Sequence, residues 1–233
     1  MHKRIFPILV ALSLWSVTAA RELPVAKPEE VGMSSAKLAK VDDILKGFIA
    51  EKKLAGCIVA IARKGKVVHF GTYGKMDVER DKPMKPDSIF RIYSMSKAIT
   101  TAAALILFDE GKYELDDPVS KYIPEFKELS VLREGQAEPA KRQMTVRDLM
   151  RHTSGLSYGF VGNSAVEKRY KKDKPIDRAG DLPRMITKLS DIPLAFEPGT
   201  KWQYSVSIDV LGRLIEIWSG NKFEDFLAER ICK

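Results

Sequence analysis

Leu38, Val41, Leu45, Phe48 and Ile49 recur at helical spacing behind Ser34 and Ser35, and Gly56 follows Leu54-Ala55 as a stop. The pattern predicts an amphipathic first helix. Two strand-like runs follow, 57–62 and 67–73, parted by Arg63-Lys64-Gly65-Lys66, which reads as a hairpin. From 94 to 110 no breaker appears and Ala98, Ile99, Ala102, Ala103, Leu105, Ile106 and Phe108 leave almost no polar side, so this helix is expected in the interior. Gly111 ends it, and Leu115-Asp116-Asp117-Pro118 opens a loop-rich region. Thr145 caps a short helix through Met150, with Gly155 as its stop. The stretch 168–178, dense in lysine and arginine, reads as a solvated loop. The last patterned segments, 207–218 and 223–231, are amphipathic helices parted by Ser219-Gly220-Asn221.

A hydrophobic fraction of 45% over 233 residues fits a globular chain with a sizeable core. His2, Lys3 and Arg4, the apolar run 5–17 and Thr18-Ala19-Ala20 have the form of a cleavable export signal, so 1–20 are read as a leader and 21–233 as one domain. The expected location is exported, periplasmic or secreted. No later segment approaches the roughly 20 apolar residues of a membrane span. Removing the leader takes away Lys3 and Arg4, and the formal charge falls from +8 to +6. Basic residues are spread out and aromatics do not interleave with them, which argues against a nucleic-acid groove. Cys57 and Cys232 form no disulfide framework, and Cys57 reads as a buried small hydrophobe.

Ser-x-x-Lys places a hydroxyl and an amine on one helix face, three residues apart. About one chance match is expected in a chain of this length, and three occur: Ser34/Lys37, Ser94/Lys97 and Ser219/Lys222. Capping explains Ser34 and a turn explains Ser219. Ser94 instead opens the apolar helix, where backbone N–H groups favour developing negative charge. A free lysine titrates near 10.4, so Lys97 must lower that value or share its proton with a second group to act as a base. Gly155-Leu156-Ser157-Tyr158-Gly159 matches a nucleophile elbow in letters only: a capped helix precedes it, and His2, His69 and His152 all precede the serine. His152 reads as a structural histidine. No metal-ligand spacing or phosphate loop appears, and no cofactor is implied.

Four segments in this order resemble the serine β-lactamase and penicillin-binding protein superfamily, in particular its class C-like and esterase branch. They are Phe90-Arg91-Ile92-Tyr93-Ser94-Met95-Ser96-Lys97, Leu115-Asp116-Asp117-Pro118-Val119, Leu149-Met150-Arg151-His152-Thr153-Ser154-Gly155-Leu156, and Phe196-Glu197-Pro198-Gly199-Thr200-Lys201-Trp202-Gln203-Tyr204-Ser205. The resemblance implies an α+β fold: an antiparallel sheet formed by the early hairpin and C-terminal strands, flanked by helices, beside a helical lobe, with the site between them. It implies three roles: Ser94 as acylated nucleophile, Lys97 as its proton-handling partner and Tyr204 as the phenol sharing base and acid duty. Acyl transfer from a small-molecule ester, amide or β-lactam is the implied chemistry, with carboxylesterase ranked first. Lactam turnover and D-amino-acid peptide cleavage follow, and a non-catalytic acyl-ligand-binding or scaffold remnant is the rival of another class. Tyr204-Ser205-Val206 departs from the Tyr-x-Asn of class C enzymes, which lowers the expectation of lactam turnover. No Lys-Thr-Gly-like or His-x-Gly-like segment follows Tyr204. The expectation is therefore of a domain whose C-terminal sheet strands, and with them a second oxyanion-hole N–H, lie outside this sequence.

Overall fold

The computed structural model describes residues 23–177 and 179–232. The leader read over 1–20 and its cleavage point near Arg21 lie outside the described residues. The chain divides into two compact units, Met1–Arg91 and Ile92–Lys233.

In the first unit, helix α1 (Ser35–Ala50) is capped by Ser34, whose hydroxyl accepts the Lys37 N–H at 3.3 Å. This satisfies one of the donors that a helix start leaves open. Strands β1 (Gly56–Arg63) and β2 (Lys66–Asp77) pair antiparallel. Lys64 and Gly65 both have positive φ, 51° and 70°, the conformation whose twist matches a two-residue hairpin. The short β3 (Lys82–Pro83) adds a third strand to β2. A small core of Val31, Leu38 and Val68 joins α1 to the sheet, and the Tyr73 hydroxyl donates to Asp42 of α1. That bond and burial push the Tyr73 phenol up to about 12. Cys57 is half-buried rather than buried, because β1 carries no fully enclosed residue.

The second unit is built around helix α6 (Ser207–Ser219), whose Val210, Leu211, Leu214 and Ile215 have no exposed surface. Helix α2 (Ser96–Asp109) packs against it, as do α3 (Val146–Met150), α5 (Leu182–Ser190) and α7 (Phe223–Arg230). The Trp218 ring stacks on Tyr113 at 3.8 Å and meets the edge of Tyr122 at 5.5 Å. Such contacts contribute beyond the apolar area that they bury.

Four expectations change. Helix α2 buries a face, Thr100, Ala103, Ala104 and Leu107, while Ala98, Ala102 and Leu105 are exposed, so the interior helix is one-sided. The lysine-rich loop is mostly helix, α4 (Ala165–Asp173), because Ser164 caps it and Val166, Glu167 and Tyr170 fall on one buried face. The loop-rich region holds a hairpin, β4 (Ser130–Arg133) with β5 (Gln136–Pro139). Finally, α3 ends at Met150 as expected, but its stop is Arg151 and His152, the latter at φ 56°, rather than Gly155. Among the described residues no helix is long and apolar enough to cross a membrane, and no group of three His, Cys, Asp or Glu side chains could hold a metal ion.

Candidate active site

Of the three Ser-x-x-Lys pairs, two serve local structure. Ser34 caps α1, and the Ser219 hydroxyl accepts the Asn221 N–H at 3.2 Å in a turn. Ser94 lies in the 3-10 turn Tyr93–Met95 that leads directly into α2, one short turn before the α-helix proper. Tyr93 holds φ 46°, a left-handed conformation costly for an aromatic residue, of order 1–3 kcal/mol. Backbone strain of this kind concentrates where a side chain must be aimed.

Tyr204 comes from a different part of the chain and is fixed by backbone pairing. The Gln203 N–H donates to His152 O at 2.9 Å and the Val206 N–H to Ser157 O at 3.1 Å, so the 152–157 segment grips Tyr204 from both sides in sequence. Gly155 makes the grip close: its φ is 84°, and a Cβ there would stand 2.3 Å from Phe196 O. Below Tyr204, the hydroxyls of Ser154 and Ser205 each lie 2.7 Å from that of Ser207, and His152 Nδ1 lies 3.3 Å from Ser205 Oγ. Burial and the neighbouring Lys97 charge hold His152 below its ordinary value, so it is a neutral packing and hydrogen-bonding ring. It tilts against Tyr204 at 5.0 Å.

The fold thus brings Ser94, Lys97 and Tyr204 together within one unit. Ser94 Oγ lies 2.5 Å from Tyr204 Oη, and Lys97 Nζ lies 3.4 Å from Ser94 Oγ. The ammonium also sits over the Tyr204 ring, 4.8 Å from its centre. Sequence reasoning missed a fourth member, Tyr158. Its hydroxyl accepts from Lys97 Nζ at 3.4 Å and its ring stacks on Tyr204, 5.5 Å apart and 12° from parallel. Its only sequence signal was its place in the Gly-x-Ser-x-Gly letters. The serine of that pattern, Ser157, is fully buried, bonded to Glu167 and accepting from Gln203 Nε2 at 2.7 Å, which is structural duty.

The electrostatics follow from these contacts. Burial lowers the Lys97 pKa, but Tyr204 and Tyr158 beside it outweigh burial, and the net direction is up. Lys97 therefore remains an ammonium at neutral pH. The hydrogen bonds from Lys97 and then Ser94 draw Tyr204 below the ordinary phenol value. Tyr158 moves the other way, raised by burial and by Asp209, despite Lys97. Two phenols against one ammonium are thus set apart: the one touching Ser94 is the readier proton acceptor. A cavity of about 320 Å³ opens beside Ser94 and Lys97, walled by Thr100, Tyr158, Leu182 and Ile208.

The Beta-lactamase family model matches residues 41–233. The chain is 34% identical over 196 residues to Esterase EstB of Burkholderia gladioli, covering 83% of this chain and 48% of that protein. It is 30% identical to Lovastatin esterase of Penicillium rubens, over 82% of this chain and 49% of that protein. Among solved structures, EstCE1, described as a hydrolase with promiscuous acyltransferase activity, superposes with a TM-score of 0.74 at 31% identity, covering 84% of this chain and 51% of that one. Simvastatin Synthase (LovD) from Aspergillus terreus superposes with a TM-score of 0.71 at 26% identity, over 85% of this chain and 53% of that one. The chain spans about half the length of the curated relatives it matches. It belongs to the beta-lactamase family, within the serine β-lactamase and penicillin-binding protein superfamily.

Proposed function

We propose that this chain carries the acylating half of a serine hydrolase acting on small esters, with amides and β-lactams as further substrates of the same chemistry. Ser94 attacks the carbonyl, Tyr204 takes the hydroxyl proton and returns it to the leaving group, and Lys97 holds the phenolate form within reach. Water then releases the acyl group from Ser94. The observation that carries this reading is the 2.5 Å approach of Ser94 Oγ to Tyr204 Oη beside an ammonium. The names of its relatives, Esterase EstB and Lovastatin esterase, support ester hydrolysis as the first choice. Export is part of the proposal, carried by the leader-like residues 1–20.

The test is covalent. A fluorophosphonate probe added to the chain is expected to raise its mass by one adduct, located by peptide mass spectrometry on Ser94, and Ser94→Ala should abolish it. A folded chain that takes no adduct, or takes it elsewhere, would sink the proposal in favour of a non-catalytic binding role.

The pH dependence has a definite sign. Because the active form of Tyr204 is the phenolate and its pKa lies below the usual 10.0, kcat/KM for p-nitrophenyl acetate should rise with pH through that lowered value. It should fall again only once Lys97, raised above 10.5, gives up its proton. Lys97→Met removes the first cause of the Tyr204 shift, so the rising limb should move to higher pH. A limb that stays in place in Lys97→Met would show that Tyr204 is not the group titrating.

A further inference from the structure

Tyr158 has a second face. On one side it walls the cavity of Ser94 and Lys97, and on the other it walls a smaller cavity of about 170 Å³ with Phe160, Tyr170, Lys171, Lys174 and Ile176. Phe160 lies against the Tyr158 ring at 4.7 Å, yet Phe160 is 67% exposed and Ile176 42% exposed. Large apolar side chains left in water next to a reactive centre mark a place where an apolar group of a ligand is sheltered.

The charges at this cavity have one sign. Lys171 and Lys174 stand at the end of α4, exposed, and neither makes an ion pair among the described residues. Of the carboxylates near it, Asp173 is held by Arg169 at 2.7 Å, Glu167 by the Ser157 hydroxyl and the Val161 N–H, and Asp177, next to Ile176 but outside the cavity wall, accepts the Ala179 N–H at 3.0 Å. Nothing acidic on α4 is left to offset the two ammonium groups. An anion resting beside an apolar ring would gain charge-assisted hydrogen bonds from both lysines while the ring covers Phe160.

We propose that this cavity is a substrate subsite for an apolar or aromatic group bearing a carboxylate, reached past Tyr158 from a carbonyl held at Ser94. The assignment deepens the hydrolase reading and rests on it for the word substrate, but the binding itself needs no turnover. It gives the basic helix, which patterning alone leaves as solvated surface, a role in choosing substrates.

The experiment compares 3-phenylpropionate with the isosteric neutral 3-phenylpropionamide, titrated calorimetrically into the full chain at low salt. The anion is expected to bind about tenfold more tightly, and the preference should shrink as salt screens the lysines. It should fall to near unity in the double variant Lys171→Gln, Lys174→Asn, where Asn is chosen because Lys174 holds φ 44°. Phe160→Ala, at an exposed position, should weaken both ligands together. In the same chain, 3-phenylpropionate should slow fluorophosphonate labelling of Ser94 competitively. Equal affinity for the two ligands, a preference that survives the double variant, or binding that leaves labelling unaffected would each overturn the subsite. Those results would leave labelling of Ser94 intact, whereas loss of labelling in the absence of ligand would remove the hydrolase reading instead.

Discussion

Tyr204→Phe is expected to lower kcat/KM for p-nitrophenyl acetate by about 10²–10⁴-fold, the usual contribution of a positioned acid–base group. The substitution removes the single oxygen that lies 2.5 Å from Ser94 Oγ and keeps the ring that His152 and Tyr158 pack against. Stability should therefore change little. The loss should appear mainly in kcat, because the phenol acts on the proton in flight rather than on substrate binding. Tyr158→Phe offers the contrast. It also removes a hydroxyl contacting Lys97, but not one that contacts Ser94, so its effect should be much smaller. If the two variants lose activity equally, the assignment of Tyr204 as proton acceptor is wrong and the two phenols act as one unit.

Gly155→Ala should be among the most destabilising single substitutions in the chain, by about 3 kcal/mol or more. Two costs add: φ 84° is a conformation that a Cβ disfavours, and that Cβ would lie 2.3 Å from the Phe196 carbonyl oxygen. Backbone atoms at that position cannot step aside, because the Ala195 N–H donates to Gly155 O at 2.8 Å and binds the two segments together. At roughly 2–4 °C per kcal/mol for a chain of this size, the melting temperature should drop by about 6–12 °C or more. The same pairing holds Tyr204 in place, so residual activity at low temperature should fall as well. A variant with an unchanged melting temperature would show that the 152–157 and 195–206 segments are not locked as described.

Local pattern carried much of the fold. Helix α1 and its Ser34 cap, the hairpin at Lys64-Gly65, the Thr145 cap and both terminal helices all depend on neighbours within a few residues, and each was legible. Helix α4 was not, because only three of its residues are buried and four basic side chains mask that stripe in any average over the segment. The exposed side of α2 was hidden for the opposite reason, since Ala98, Ala102 and Leu105 look like core to a reading that cannot see what packs where.

The division is the same at the site. Sequence determined that Ser94 and Lys97 share a face at the start of a helix, since three residues of helical rise bring them close wherever that helix sits. It also supplied the order of segments that links Tyr204 to them through family likeness. Tertiary structure alone decided the rest. It brought a phenol 110 positions away to 2.5 Å from the serine, added Tyr158, and kept Lys97 charged rather than neutral. It also buried Ser157 and left Ser94 open. Proximity and charge state belong to the environment that packing creates, and a pKa is set by neighbours in space rather than along the chain.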